Sequence, residues 1–276
     1  MRTSQRGVAL ISVLLVMSLA LLIIGGVLRS HRLLLQGSGQ QLQQIHLRQL
    51  AASGEAWALL QLQAQQKNSD LIPDRTLGFD IEDAQIHVDI EDLAGRFNLN
   101  ALLVQGQIDQ VTLNRWMRLL KLLELAPLSL EQVGVLRELS QLRLLPGVDG
   151  PLLRRLEPWV ALLPTDAALN INTAPALVLR ALDGVEPAMA DALLRQRSST
   201  PWASVQAFTH DPLLSGSGLS SHGLGIESRW YRVSVQVTQG QSRLRLATDV
   251  ERDPKTRQLK ILQRRLLPSN VHEIAQ

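Results

Sequence analysis

The chain has 276 residues, which is enough for one large or two small folded domains with real cores. Its 28 basic and 25 acidic residues nearly balance, and aromatic residues make up only 3%, which disfavours a nucleic-acid surface that stacks bases. The chain contains no cysteine, so disulfides and thiolate metal sites are excluded.

The N-terminus carries an apolar run behind a short basic leader. Residues 8–28 are 21 consecutive uncharged residues, and as a helix they span roughly the 30 Å hydrocarbon core of a bilayer. A cleaved secretory signal usually has a shorter apolar core, of about 7 to 15 residues, followed by a small-residue cleavage site. Arg29 follows this run instead, so the remaining cleavage site is the one before it, between Gly7 and Val8. The run alone fits a plain membrane anchor equally well.

Periodicity divides the rest of the chain into a helix, strands and a helical middle. Large apolar residues recur every three to four positions to about Gln66, which predicts that the first helix continues out of the membrane. Residues 68–78 are rich in Pro, Asp and Gly and predict a connection. Alternating apolar and polar residues predict strands in four segments: 84–100, 230–238, 242–251 and 260–267.

The middle of the chain, residues 108–208, predicts short Leu-rich helices separated by Pro and Gly. Strands, a helical block and further strands together predict an α+β fold, with a sheet interrupted by an α-helical insertion. Residues 70–100 carry a net charge of −6 and residues 225–265 a net charge of +6. These opposed charges favour cross-strand pairs, although two separately solvated surfaces explain them as well.

One segment of the helical middle resembles a nucleic-acid-binding motif. Residues 169–197 are similar to a helix-hairpin-helix, in which a Gly-hydrophobic-Gly turn offers backbone N–H groups to a DNA phosphate. Gly184 occupies the first glycine position, but Glu186 replaces the second and Asp183 adds another carboxylate. A weaker copy, residues 142–159, contains Gly147. Electrostatics opposes phosphate binding, so we predict that Gly147 and Gly184 serve structural hairpin turns.

The sequence offers little support for catalysis or a metal centre. Residues 216–223, GSGLSSHG, narrowly miss the G-x-S-x-G motif because His222 replaces the final Gly, and the segment is more typical of a flexible loop. The six histidines show no metal-ligand spacing, and no phosphate-binding loop or dinucleotide fingerprint occurs. Six acids are candidate oxygen ligands for calcium, although a solvated acidic face explains them better: Asp80, Glu82, Asp83, Asp89, Glu91 and Asp92.

Several features of the chain occur together in one known family. They are the leader ending in Gly7, the uncut apolar helix, AASGEAWALL (51–60), GRFNLN (95–100), LNINTAPALVLRAL (169–182) and the closing strands. Together they resemble the K-type minor pseudopilins of type II secretion systems, the GspK family. The resemblance implies an N-terminal transmembrane pilin helix and a pilin-like antiparallel β-sheet. It also implies a large α-helical insertion that is SAM-like or helix-hairpin-helix-like.

The resemblance also implies a domain division and a set of interactions. It divides the chain into a prepilin leader (1–7), a transmembrane and pilin helix (8–66), a pilin-like β domain (67–100 and 213–276) and a helical insertion (101–212). A prepilin peptidase is expected to cut after the leader, and the new N-terminal residue is expected to be methylated. The expected location is the inner membrane, spanned once, with a periplasmic C-terminal domain. The expected partners are the I-type and J-type minor pseudopilins and the major pseudopilin. Some family members bind calcium, and no enzyme activity or nucleic acid is expected.

The fifth residue after the expected cut distinguishes this chain from most pilin-like chains. Most have Glu there, and its carboxylate pairs with the N-terminal ammonium of the subunit assembled ahead. This chain has Ser12. A carboxylate inside the membrane costs about 2.5 to 3.5 kcal/mol unless it finds a partner, so Glu favours a preceding neighbour and Ser12 does not. The ammonium of Val8 can still pair with a following subunit, which predicts a place at a fibre tip. Three alternatives remain: a membrane-anchored DNA-uptake protein, a type IV pilus minor pilin and a membrane-anchored hydrolase.

Overall fold

The computed structural model describes residues 4–64, 75–81, 83–104, 106–130 and 134–267, and within the first helix the side chains of residues 13–31 and 38–64. The first helix, α1 (Ser4–Ala64), is 61 residues long. Its segment Val13–His31 has 19 residues and a mean hydropathy of 2.3, so it is long and apolar enough to cross a membrane. None of this segment is buried against the rest of the described chain. The sequence predicted this helix to about Gln66, and its last two predicted residues lie outside the described part of the chain.

Two strands follow the helix. They are β1 (Arg75–Ile81) and β2 (Ala84–Asp92), which pair antiparallel with Gly78 opposite His87. The prediction of a connection over residues 68–78 was therefore wrong at its end, because Arg75 to Gly78 belong to a strand. These residues are held by the ladder with β2, whose alternating side chains are buried on one face.

The chain between β2 and the later strands forms short helices and two-residue strands. The α-helices are α2 (Gln110–Leu122), α3 (Gly150–Leu156), α4 (Ala176–Arg180), α5 (Pro187–Ser199) and α6 (Val205–Thr209). The two-residue strands are β3 (Phe97–Asn98), β4 (Leu103–Val104), β5 (Gln107–Ile108), β6 (Val160–Ala161), β7 (Leu169–Asn170) and β8 (Leu224–Gly225). The described residues of this region also form 3-10 helices at Leu93–Gly95, Leu99–Leu102, Leu139–Leu144 and Pro212–Leu214.

Two of the apolar clusters in this helical region are built around aromatic pairs. In one, the ring of Trp116 stacks on Phe97 at a centroid distance of 5.6 Å, among leucines of α2, α3 and the loops between them. In the other, Trp202 meets Phe208 edge-on at 4.9 Å, among residues of α4 and α5. The helices α3, α4 and α6 have only five to seven residues, so their stability depends on packing in these clusters rather than on their own backbone hydrogen bonds.

The last three strands complete one antiparallel sheet. They are β9 (Trp230–Gln239), β10 (Ser242–Arg252) and β11 (Leu259–Leu267), and the spatial order is β1-β2-β9-β10-β11. Because β2 pairs directly with β9, the helical region is inserted between two neighbouring strands. The predicted α+β class, an antiparallel sheet with a helical insertion, is confirmed. The exact residues at which the insertion begins and ends stay a prediction.

The second half of α1 covers one face of this sheet. Buried side chains of the helix, including Leu47, Ala58 and Leu62, pack on alternating residues of β2, β9 and β10. A Cβ on Gly54 would lie 2.9 Å from Val235 Cγ1, so the absence of a side chain lets the helix approach β9 closely. The sheet and the second half of α1 therefore share one hydrophobic core.

The expected pairing between the acidic and basic segments is only partly seen. Asp249 pairs with Arg232 at 2.7 Å and with Arg265 at 3.0 Å, and all three residues belong to the basic segment itself. From the acidic segment, Glu91 lies opposite Arg232 in the register, but its carboxylate binds Arg96. Arg96 meets this carboxylate with two guanidinium nitrogens. Glu91 also interacts electrostatically with Arg232, so the cross-strand attraction is present alongside the Arg96 pair.

Candidate assembly site

A buried carboxylate ties α1 to the strands β10 and β11 of the sheet. Glu55 is only 4% exposed, and its Oε1 accepts hydrogen bonds from Thr248 Oγ1 at 2.6 Å and Arg264 Nε at 2.7 Å. Thr248 belongs to β10 and Arg264 to β11, so one side chain ties the helix to both strands. Sequence reasoning missed this role, although a single Glu among Ala, Gly and Leu in AASGEAWALL was its visible signal.

A second buried carboxylate joins the sheet to the insertion. Asp92, the last residue of β2, accepts hydrogen bonds from Ala94 N, Asn170 Nδ2, Thr173 Oγ1 and Ser228 Oγ at 2.9, 3.1, 2.5 and 2.5 Å. We call Asp92 and these four partners the junction. Burial raises the pKa of Asp92 above its usual 3.8, and the hydrogen bonds offset this only in part. Asp92 was a calcium candidate in the sequence, but here it accepts protein donors.

GRFNLN supports the junction from one side. A Cβ on Gly95 would lie 2.9 Å from the backbone of Thr173, so the two segments touch where only glycine fits. The Asn98 side-chain amide donates to Pro164 O and accepts from Leu163 N. The Asn100 side-chain amide donates to Leu136 O and accepts from Leu136 N. These buried amides satisfy backbone groups of loops that have no ladder of their own.

NINTAPA supports the junction from the other side. Asn170 donates to Asp92 and to Ser228 Oγ, and its Oδ1 accepts from Asn172 N. The Asn172 side chain binds Trp202 through both N–H and carbonyl, at 2.9 and 3.0 Å. The Arg197 guanidinium donates to the carbonyls of Ile171 and Ala174. The segment therefore connects Asp92 to the second apolar cluster. In both GRFNLN and NINTAPA, buried Asn side chains bind the backbone of neighbouring loops.

The hairpin turn at Gly184 is covered by another part of the chain. Gly184 has φ +68 and precedes α5, and a Cβ there would lie 2.1 Å from Ser217 O. Asp183 is bound by Arg115 at 3.2 Å and by Arg118 at 2.7 Å. Glu186 is the N-cap residue of α5 and makes no side-chain capping bond. A phosphate at this turn would meet the Ser217 loop and a carboxylate instead of open N–H groups.

The weaker hairpin copy differs because its turn is open. Gly147 has φ +80, and a Cβ there would meet nothing within 4 Å. The following helix, α3, is capped by Asp149, whose Oδ1 accepts from Leu152 N at 2.8 Å. The two turns share a backbone conformation but not an environment.

Arg115 ties the hairpin to the glycine-rich loop. Its guanidinium is almost fully buried and donates to Asp183, Ser220 O and His222 O. Burial lowers the pKa of Arg115, which the neighbouring Asp183 carboxylate opposes. His222 Nε2 lies 2.9 Å from Asp109 Oδ2, the cap of α2, so the GSGLSSHG segment is a loop pinned to α2. It does not have the strand-turn-helix arrangement of a nucleophile elbow.

The remaining predicted site residues lie apart from the junction. Gly7, Val8 and Ser12 lie in α1, within the part whose side chains the structure does not describe. Of the calcium candidates, Glu82 falls outside the described residues. Among the residues that are described, no group of three or more His, Cys, Asp or Glu side chains is placed to hold a metal ion.

Comparisons with known proteins agree with this architecture. The family model for type II secretion system (T2SS) protein K matches residues 169–227, which contain the NINTAPA segment and the Gly184 hairpin. Type II secretion system protein K of Pseudomonas aeruginosa is 28% identical over 91% of this chain and 90% of its own length. The Klebsiella pneumoniae protein of the same name is 25% identical over 93% of this chain and 95% of its own length.

A solved structure has the same fold. The crystal structure of the GspK-GspI-GspJ complex from the enterotoxigenic Escherichia coli type 2 secretion system contains a chain that matches with a TM-score of 0.71 and 21% identity. The match covers 84% of this chain and 99% of that one. Two relatives matched over at least 90% of their own length, a family-model match and a shared fold all point to the same protein. The chain is therefore similar along most of its length to type II secretion system protein K, and these similarities support a minor pseudopilin of type II secretion.

Proposed function

We propose that this minor pseudopilin occupies the tip of the type II secretion pseudopilus, where it initiates or caps assembly for protein export across the outer membrane. Ser12 carries the proposal. Without a carboxylate at the fifth position after the expected cut, the subunit gains nothing from a neighbour ahead of it, while the Val8 ammonium still attracts one behind.

The insertion supports the same position. It is about the size of a small domain. The buried bonds of Asp92 and the asparagines of GRFNLN and NINTAPA join it to the sheet, so it is not a loosely tethered module. A mass fixed in this way beside the pilin helix obstructs a subunit stacked ahead. Steric and electrostatic terms therefore both favour the first place in the fibre.

Processing and location follow from this role. A prepilin peptidase removes Met1 to Gly7, the new N-terminal Val8 is methylated, and the apolar helix holds the subunit in the inner membrane before assembly. The globular part then lies in the periplasm. The subunit acts through assembly contacts and without catalysis. Calcium stays a family-level expectation, with no carboxylate cluster among the described residues to support it.

The proposed partners are the I-type and J-type minor pseudopilins and the major pseudopilin. The matching Escherichia coli chain was crystallised with GspI and GspJ. We expect this full-length chain, co-expressed with its own I-type and J-type proteins, to be purified from detergent as a one-to-one-to-one complex. A chain that is purified alone, or that binds the major subunit with no preference for these two, would contradict the proposal.

A DNA-uptake role is the second candidate, and the hairpin geometry disfavours it. Ser217 covers Gly184, and Asp183 already binds two arginines. A gel shift with duplex DNA at low salt separates the two functions, because a DNA-binding hairpin should retard the duplex and a structural one should not.

A further inference from the structure

One leucine of the insertion is held in solvent. Leu144 ends the 3-10 helix Leu139–Leu144 and is 80% exposed. No large apolar side chain described in the membrane-type segment of α1 exceeds 73%. Its neighbours Leu142 and Leu145 are buried, so the backbone is anchored on both sides of it. Leu144 is therefore presented rigidly to solvent and cannot fold back into the core.

Two arginine side chains, those of Arg143 and Arg154, both approach Gly150, and Arg143 directly precedes this leucine in the chain. A Cβ built on Gly150 would lie 3.5 Å from Arg154 Nη1 and 3.8 Å from Arg143 Nη2. Both arginines are exposed, and no described carboxylate forms an ion pair with either one. The nearest acid in sequence, Asp149, directs its Oδ1 to Leu152 N. Both guanidinium groups therefore lie near Gly150 without an ion-pair partner among the described residues.

The spacing of the two guanidinium groups suits a phosphate. Because Arg154 Nη1 and Arg143 Nη2 lie 3.5 and 3.8 Å from the same point, these two nitrogens are at most about 7 Å apart. A phosphate that accepts one N–H···O bond of about 2.8 Å at each of two oxygens can bridge that gap. A free phosphate or an acidic peptide would need only the arginines. A lipid surface also offers an apolar layer beneath its phosphates, where an adjacent leucine can be buried.

We propose that the corner formed by Arg143, Leu144 and Arg154 binds the phosphate-bearing surface of a bilayer other than the one that α1 spans. The guanidinium groups bind lipid phosphates and Leu144 enters the acyl boundary. This inference concerns a lipid contact and does not depend on the proposed assembly role, so a failure of one leaves the other standing.

The test uses the full chain in nanodiscs of neutral phosphatidylcholine, which occupy α1 and leave the globular part free. Vesicles of phosphatidylcholine alone, or with phosphatidylglycerol, are added, and vesicle capture is measured by co-flotation. We expect capture of the anionic vesicles at least tenfold more strongly than the neutral ones. Arg143→Gln with Arg154→Gln should weaken capture about 20- to 30-fold, and Leu144→Ser several-fold.

Matched variants distinguish binding at this corner from a general effect of surface charge or surface hydrophobicity. Arg195→Gln removes an exposed arginine of α5, and Leu262→Ser removes an exposed leucine of β11; both should capture anionic vesicles as the wild type does. Equal capture of neutral and anionic vesicles, or an equal loss with Arg195→Gln, would overturn the proposal. Millimolar glycerol phosphate should not displace the vesicles. If it does, the corner is a free-phosphate site and the lipid proposal is wrong.

Discussion

Replacing Gly184 with Ala tests whether the hairpin turn is covered as the structure describes. With φ +68, any L-residue at this position adopts the left-handed region, which costs about 1–2 kcal/mol. The added Cβ would also lie 2.1 Å from Ser217 O, so the carbonyl must move by at least about 1.3 Å to reach ordinary contact at 3.4 Å. Forced displacement of packed groups costs typically 1–3 kcal/mol. We expect Gly184→Ala to lower the free energy of unfolding by about 2–5 kcal/mol.

The displaced loop explains why the loss should be large. The loop also provides Ser220 O and His222 O to the buried Arg115, so moving it disturbs the acceptors of a buried charge. Urea denaturation of the full chain in detergent measures the total. Hydrogen exchange in α5 should show the loss locally, since that helix begins three residues after the turn.

Gly147→Ala is the matched control. Gly147 has φ +80, and its Cβ position is open, so only the backbone cost of about 1–2 kcal/mol applies. The difference between the two variants reports the contact with Ser217. If Gly184→Ala cost no more than Gly147→Ala, the turn would be open and the argument against phosphate binding would lose its steric part.

Three further outcomes follow. Glu55→Ala should lower the free energy of unfolding by about 2–3 kcal/mol and Glu55→Gln by roughly half as much, because an amide oxygen still accepts from Thr248; equal losses in urea denaturation would contradict this. The raised pKa of Asp92 means that the folded state holds its proton more tightly, so the free energy of unfolding should fall as pH rises from about 3.8 through the folded pKa. Asp92→Asn should remove that fall. Glu186→Gly should leave stability within about 0.5 kcal/mol, since Glu186 makes no capping bond.

The elements of the fold that follow a local pattern could be predicted from the sequence. Strand alternation located β2, β9, β10 and β11, and apolar periodicity located α1. β1 (Arg75–Ile81) was not predicted, because its first half carries Gly and polar residues and was assigned to a connection, and it becomes a strand only through pairing with β2. Tertiary pairing overrides local composition there.

The junction could not be predicted because its partners are far apart in sequence. Asp92 meets Ser228 across 136 residues and Thr173 across 81, and nothing local to Asp92 separates it from the other acids of its segment. GRFNLN and NINTAPA could be recognised as typical of a family, but their purpose, amide side chains that bind loop backbone, became visible only in the folded chain.

The proposed tip position is tested by where labelled protein lies on isolated pseudopilus fibres. The full chain, carrying a small label at an exposed position of the insertion, is expressed at its natural level, and fibres are imaged by immunogold electron microscopy. A tip position predicts label at one end of each fibre, at about one copy. The position of the label should not change with Ser12→Glu alone, because the insertion still obstructs stacking. Label distributed uniformly along wild-type fibres would contradict it.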